Sequence, residues 1–242
     1  MCPIAFKAGS FAVYSKTLMI ITAVLVCSFF LIKECRSLNI GLGKLLRLMI
    51  WTTVWSMLGA RLLALIIYFD HYQLYPQELG LWSARGFSLP GAVIAGTAFS
   101  WYFMAKHKMP VLKIWDVAAP YLALGQAIAR IGCFLNGCCY GKLFQWGVYF
   151  PGLRAVVHPT QLYLMWGSLI IFCILKRFQR KNAADGRVFV LYWILELIMR
   201  FFMDFIRVDN QPFWLGLSIY QLICAFLLGG AMYAYSKCNR CA

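Results

Sequence analysis

Apolar residues run almost unbroken through seven stretches of the chain, roughly 11–32, 45–69, 88–105, 114–135, 160–175, 187–206 and 215–235. Each is close to the roughly 20 residues that a helix needs to cross the hydrocarbon core of a bilayer. Backbone amides and carbonyls find no water there, so runs of this length read as helices, which satisfy their own hydrogen bonds, rather than as strands. The pattern predicts an all-α polytopic integral membrane bundle of about seven transmembrane helices. An odd number of crossings places the two termini on opposite sides.

The polar residues between the runs set the orientation, because cytoplasmic connections carry the excess of Lys and Arg. Lys33, Arg36, Lys44 and Arg47 join the first two runs, and Lys106, Lys108 and Lys113 join the third to the fourth. Lys176, Arg177, Arg180, Lys181 and Arg187 join the fifth to the sixth, and Lys237 and Arg240 follow the last. The intervening connections, 70–87, 136–159 and 207–214, are poorer in basic residues and richer in Gly, Pro and aromatics. The amino terminus is therefore expected outside and the carboxyl terminus in the cytoplasm.

Composition agrees, since 62% hydrophobic and 13% charged residues do not describe a soluble surface. The 23 Lys and Arg against 8 Asp and Glu could suggest nucleic-acid binding. Their placement is already explained by topology and anionic headgroups, so no nucleic-acid partner is expected. The first run is too long for a signal-peptide core and lacks a small-residue cleavage site after it, so it should stay in the membrane. No repeat, linker or low-complexity tract divides the chain, and residues 1–242 read as one integral membrane domain.

Chemistry enters with the charges inside the runs, where each costs about 3 kcal/mol or more and so marks a candidate functional position. Glu196, Arg200, Asp204 and Arg207 recur at i, i+4, i+8 and i+11 of the sixth run. At about 100° per residue a helix would confine them to roughly 80° of one face. Glu and Arg four residues apart can pair along a helix, so an internal ion-pair ladder is one reading. The other is an anion site, because the stripe ends at the outer boundary and a guanidinium offers a permanent charge and a planar fork of donors to phosphate. In the fourth run Gln126 and Arg130 share a face, and Arg130 has no acidic neighbour on its own helix. Gly132, Gly137 and Gly141 would allow close helix approach, with Gly137 and Gly141 ending the helix and turning the chain.

The stretch Arg130-Ile-Gly-Cys-Phe-Leu-Asn-Gly-Cys-Cys-Tyr-Gly141 resembles the signature of the prolipoprotein diacylglyceryl transferase family. Gly59-Ala-Arg61, Gly86-Phe-Ser-Leu-Pro-Gly91, Asp116 through Pro120, Trp146-Gly-Val-Tyr-Phe-Pro151, His158-Pro-Thr-Gln-Leu-Tyr163, Arg200-Phe-Phe-Met-Asp204-Phe-Ile-Arg207 and Ser218-Ile-Tyr-Gln221 agree with it in order and spacing. The resemblance covers nearly the whole chain. It implies an enzyme of the bacterial cytoplasmic membrane that moves diacylglycerol from phosphatidylglycerol to the lipobox cysteine of a prolipoprotein signal peptide, with its active centre toward the outer leaflet. It implies no metal or organic cofactor. Arg130 and Arg200 match the family's essential arginines, and Asp204 with Arg207 its acidic-plus-arginine pair. Asn136, Gly137 and Gly141 match its signature, and Gln126, Arg61, Tyr14 and Gln161 join them as residues expected to meet substrate. Two rivals remain: a divergent relative that modifies another acceptor, and a non-catalytic anionic-lipid transporter.

The departures matter as much. Pro90 stands where the family's His-Gly-Gly motif has its histidine, the usual base for the substrate thiol. Cys133 replaces an asparagine, Cys138 an acidic residue, Asp204 a glutamate and Leu164 a glutamate. His158 is the remaining histidine expected near the outer face, able either to accept the proton or only to anchor its loop. Nearby arginines could also populate the thiolate without a base. Of the ten cysteines, Cys27, Cys173 and Cys224 sit in apolar runs as small hydrophobes, and Cys238 and Cys241 form a lone C-x-x-C. Cys133, Cys138 and Cys139 admit signature drift, a metal or redox site, or a thiol that is itself lipidated. Drift is preferred because no adjacent histidine or carboxylate completes a metal site.

Overall fold

A computed structural model describes residues 4–8, 11–38, 40–69, 73, 88–180, 185–208 and 216–240. The helices are α1 (Ser15–Cys35), α2 (Leu42–Ile67), α3 (Leu89–Lys106), α4 (Val111–Asn136), α5 (Thr160–Gln179), α6 (Arg187–Asp204) and α7 (Ile219–Arg240). All seven expected runs are helical. Two short antiparallel hairpins were not expected: β1 (Ile4–Ala8) with β2 (Phe11–Tyr14), and β3 (Leu143–Phe150) with β4 (Ala155–Val157). The first run is thus corrected at its start, where residues 11–14 form a strand and the helix begins at Ser15.

Five helices, α1, α2, α4, α5 and α7, are long and apolar enough to cross a membrane. The other two, α3 and α6, have 18 residues each; α6 carries Arg187, Glu196, Arg200 and Asp204, and Pro90, two glycines and Lys106 dilute α3. Large apolar side chains such as Leu25, Phe29, Leu62, Ile94 and Phe226 are exposed along the helices, as lipid-facing positions should be. The chain belongs to the mostly helical, multi-pass membrane proteins.

It divides into two compact units, 35–111 and a second made of 1–34 with 112–242. In the first, α2 and α3 form an antiparallel pair around small residues. A side chain on Gly59 would stand 2.7 Å from the Gly91 carbonyl oxygen, so the backbones touch where no Cβ fits. Trp55 stacks on Phe99 beside this seam.

In the second unit, Ala119 and Ala123 of α4 pack with Ile171 and Leu175 of α5 and Val188 and Tyr192 of α6. The helix ends sort into two groups. At one end, Lys176 of α5 pairs with Glu34 of α1 at 2.5 Å, and Tyr121 of α4 donates to the same carboxylate. At that end too, Asp116 of α4 accepts the Gly186 amide at 2.6 Å and the Phe189 amide at 2.8 Å. These are amides of the first turn of α6 that have no partner inside their own helix, and Gly186, at φ +91°, makes the turn that presents them. Asp116→Ala is expected to lower stability by about 1–3 kcal/mol, because two buried donors lose their acceptor. A thermal-unfolding scan of the purified chain in detergent checks this; an unchanged midpoint contradicts it. At the opposite end, the last turn of α4, the first of α5 and the last of α6 come together, and this is where the signature lies.

Candidate active site

The last turn of α4 closes with two hydrogen bonds, Gly137 N–H to the Phe134 carbonyl at 3.1 Å and Cys138 N–H to the Cys133 carbonyl at 3.2 Å. With Gly137 at φ +71°, this is the glycine-terminated helix end in which successive amides cap the last free carbonyls. The expectation that Gly137 ends the helix is met. Beyond it the chain is stitched to both neighbouring helices. Gly141 N–H donates to the His158 carbonyl at 2.9 Å, and Lys142 N–H to the Ile206 carbonyl at 2.8 Å, while Gly141 forms an isolated antiparallel bridge with Arg207. From α5, Thr160 Oγ1 donates to the Cys139 carbonyl at 2.5 Å and Gln161 Nε2 to the Cys138 carbonyl at 2.6 Å.

Gly141 has no room for a side chain. A Cβ there would stand 2.7 Å from His158 Cβ, 2.8 Å from Thr160 Cγ2 and 2.9 Å from the Ile206 oxygen. Likewise a Cβ on Gly132 would meet Met19 Cβ of α1 at 2.8 Å. The glycines fix how closely α4 and its following loop approach α1, α5 and α6.

The expected polar stripe is real for Glu196, Arg200 and Asp204, all on α6. Arg207 is a correction: α6 stops at Asp204, a turn follows, and Arg207 reaches the site from the bridge to Gly141 rather than from the helix face. The carboxylate of Asp204 is buried and accepts from Ser218 Oγ, and the Gln221 side chain caps the same corner by accepting the Ser218 amide at 2.8 Å.

Arginine charges from α4, from α6 and from the segment after α6 fall within electrostatic reach of one another here. The charges of Arg207, Arg130, Glu196 and Asp204 all act on the Arg200 guanidinium, and those of Arg200 and Arg130 act on Glu196. Gln126 Nε2 of α4 lies 3.4 Å from Glu196 Oε1, tying α4 to α6 at the inner end of the group. Among the described residues, neither Arg130 nor Arg200 makes an ion pair or a side-chain hydrogen bond, and Glu196 pairs with neither. An ion-pair ladder between Glu196 and Arg200 is therefore not what α6 carries. Two half-buried guanidinium groups with free donors, repelling one another, have the chemistry to receive an anion with several acceptor oxygens.

Other expected residues fall as follows. Asn136 is the last residue of α4 and is half-buried, and Gln161 is fully buried against the signature loop. His158 is half-buried, with its ring stacked on Phe144 at 3.9 Å and Nδ1 3.4 Å from the Tyr163 hydroxyl. Tyr14 ends β2 and is exposed. Arg61 is buried on α2, and Pro90 opens α3, both in the unit 35–111. The side chains of Cys238 and Cys241 lie outside the described residues, as do 209–215 and 74–87, the latter including the first two residues of the Gly86–Gly91 motif.

Two features escaped sequence reading. Glu196 lies within electrostatic reach of both arginines; its place in the i, i+4 series was visible, but its company with Arg130 needed the packing of α4 on α6. The Sγ atoms of Cys133, Cys138 and Cys139 all lie within 4.8 Å of one another. Thiol hydrogen bonds from Cys133 and Cys138, with the charges of Arg207 and Arg130, hold the Cys139 thiol below its ordinary value.

Comparison with known proteins bears on this arrangement. A profile of the family described as "Prolipoprotein diacylglyceryl transferase" matches residues 3–236. A protein of Clostridium tetani named phosphatidylglycerol–prolipoprotein diacylglyceryl transferase is 30% identical over 239 residues, covering 94% of each chain. One of the same name from Dehalococcoides mccartyi is 31% identical over 95% of this chain and 91% of its own. A third, from Clostridium perfringens and named as the second such transferase, is 29% identical over 93% and 90%.

Proposed function

On the premise that this chain belongs to the prolipoprotein diacylglyceryl transferase family, a family of transferases, we propose that it transfers the diacylglyceryl group of phosphatidylglycerol to the lipobox cysteine of a prolipoprotein. The whole chain works as one transferase domain in the bacterial cytoplasmic membrane, crossing it seven times with the amino terminus outside. Its active centre lies toward the outer leaflet. The observation that carries the reading is the pair Arg130 and Arg200, drawn from separate helices, acting on one another and held by no internal carboxylate among the described residues.

In the reaction, the substrate thiolate attacks the glyceryl carbon bonded to phosphate. A C–S thioether bond forms, the C–O bond breaks with its electron pair leaving on oxygen, and glycerol phosphate departs. Arg130 and Arg200 hold the phosphate and stabilise the charge that grows on it, an interaction stronger in the transition state than in the bound lipid. Arg207, fixed by the Gly141 bridge, borders the same group, and the Ser218 contact orients Asp204 beside it. Gln126 positions Glu196 beside the arginines. Asn136, Gly137, Gln161 and Tyr14 complete the contacts that this unit makes with lipid and peptide, and Arg61 is a substrate-binding residue of the unit 35–111.

Mass spectrometry of a lipobox peptide incubated with phosphatidylglycerol and purified chain tests the proposal. The expected product is the peptide heavier by one diacylglyceryl group, with glycerol phosphate released and a cysteine-to-serine peptide unchanged. No mass gain from well-folded protein contradicts it. Pro90 at the usual histidine position and the thiols of the signature favour one alternative, a relative that modifies a different acceptor. Failure to complement a strain depleted of its transferase, despite good expression, supports that alternative.

With Pro90 unable to act as a base, His158 takes the thiol proton. His158→Gln is expected to slow transfer about 10²-fold at neutral pH. The loss shrinks as pH rises toward the free thiol's ionisation near 8.5, since solution then supplies the thiolate. A rate profile from pH 6.5 to 9.5 reads this. A variant as fast as the parent throughout makes His158 only an anchor of its loop.

A further inference from the structure

The helix end that presents the signature also gathers three thiols whose grouping the transfer reaction does not use. In a glycine-terminated helix end of this kind, the residue two places after the last helical position folds back over the last turn, against the residue that caps its amide. Here those two residues are Cys138 and Cys133, so hydrophobic contact is replaced by sulfur beside sulfur. Cys139 follows at φ +63°, a left-handed conformation that few non-glycine residues adopt, and this turns its side chain toward the other two. Thr160 and Gln161 hold the carbonyls of Cys139 and Cys138, so the turn is braced from α5. The three Sγ atoms lie within 4.8 Å of one another, each residue is half-buried, and none is in a disulfide.

A set of three sulfurs with no histidine or carboxylate ligand grouped with it among the described residues selects a soft cation over Mg2+ or Ca2+. Metal–sulfur bonds of about 2.3 Å place the sulfurs of a trigonal or tetrahedral set about 3.8–4.0 Å apart, within reach of this spacing by side-chain rotation. Three thiolates around one ion leave a net negative charge, and Arg130 acts on Cys133 and, with Arg207, on Cys139. No fourth protein ligand is needed, because trigonal thiolate coordination suffices for Cu+ and a water or chloride completes Zn2+.

We propose that Cys133, Cys138 and Cys139 form a three-sulfur site for one thiophilic cation, Zn2+ or Cu+, clasping the last turn of α4 to the loop that follows it. Binding displaces the protons of whichever thiols are protonated, and these pass to solvent. The proposal concerns ion binding alone and stands whatever acceptor the enzyme modifies.

The test uses the full-length chain, reduced and stripped of metal, in detergent, with Cys2, Cys238 and Cys241 changed to Ser so that no terminal thiol competes. It is titrated with Zn2+ and, separately under anaerobic conditions, with Cu+, each against a chromophoric chelator. The expected result is one equivalent of ion bound at sub-micromolar Kd for at least one of the two ions, weakened at least 100-fold by Cys138→Ser or Cys139→Ser. Binding kept by the Cys133→Ser/Cys138→Ser/Cys139→Ser variant, or no binding by the parent, overturns the proposal. Because those variants could misfold, a second measurement uses the natural chain: N-ethylmaleimide labelling with peptide mass spectrometry. The bound ion is expected to protect Cys133, Cys138 and Cys139 at least tenfold while exposed Cys173 labels at its metal-free rate. Equal labelling of the three with and without ion also overturns it.

Discussion

Alanine at Arg130 or at Arg200 is expected to abolish diacylglyceryl transfer, with a loss of at least about 10³-fold in rate, since each removes a charged donor from the leaving phosphate. Lysine at Arg200 restores the charge but not the planar fork, so Arg200→Lys should remain about 10²-fold below the parent. Lys113→Ala serves as the control: its ion pair with Asp185 lies exposed at the far end of the unit, and its loss should leave transfer unchanged. The lipobox-peptide assay in reconstituted membranes measures all four. Full activity in either alanine variant removes the assigned site.

Gly141→Ala is the second large effect. The added methyl group would sit 2.7–2.9 Å from His158, Thr160 and the Ile206 carbonyl at once, and two of these belong to backbone or to a braced helix start. Relief requires the loop to leave α5 or the bridge to Arg207 to break, and both displace side chains of the phosphate site. Transfer is expected to fall about 100-fold while Gly152→Ala, which meets nothing, keeps parental activity. Parental activity in Gly141→Ala would show that the bridge does not position Arg207.

The helices were legible because a bilayer imposes one requirement on every crossing segment, and the chain meets it as uninterrupted apolar length. Their bounds in the structure differ from the sequence expectation by only a few residues, apart from the strand at 11–14. The hairpin of Leu143–Phe150 with Ala155–Val157 was not legible: Trp146 and Tyr149, both exposed, gave no clean alternation against a buried face. Arg130 and Arg200 were legible as costly charges, whereas the electrostatic reach of one on the other was not, since nothing in spacing alone says which spans pack together. Arg207 was misplaced for a related reason. The i+11 arithmetic assumes a helix that continues, and α6 ends three residues earlier where its backbone is captured by the Gly141 loop. The thiol cluster depended on two left-handed residues in a row of three, Gly137 and Cys139, of which only the glycine announces itself in a sequence.

Binding of glycerol phosphate to the purified chain, held in nanodiscs of uncharged lipid, tests most directly whether two arginines from α4 and α6 grip one phosphate. Calorimetric titration of the parent, Arg130→Ala, Arg200→Ala and the double variant gives the coupling between them. Each single variant is predicted to bind at least 10-fold more weakly, with the double variant losing clearly less than the product of the two. Undiminished binding in either single variant, or losses that simply multiply, would contradict a shared phosphate.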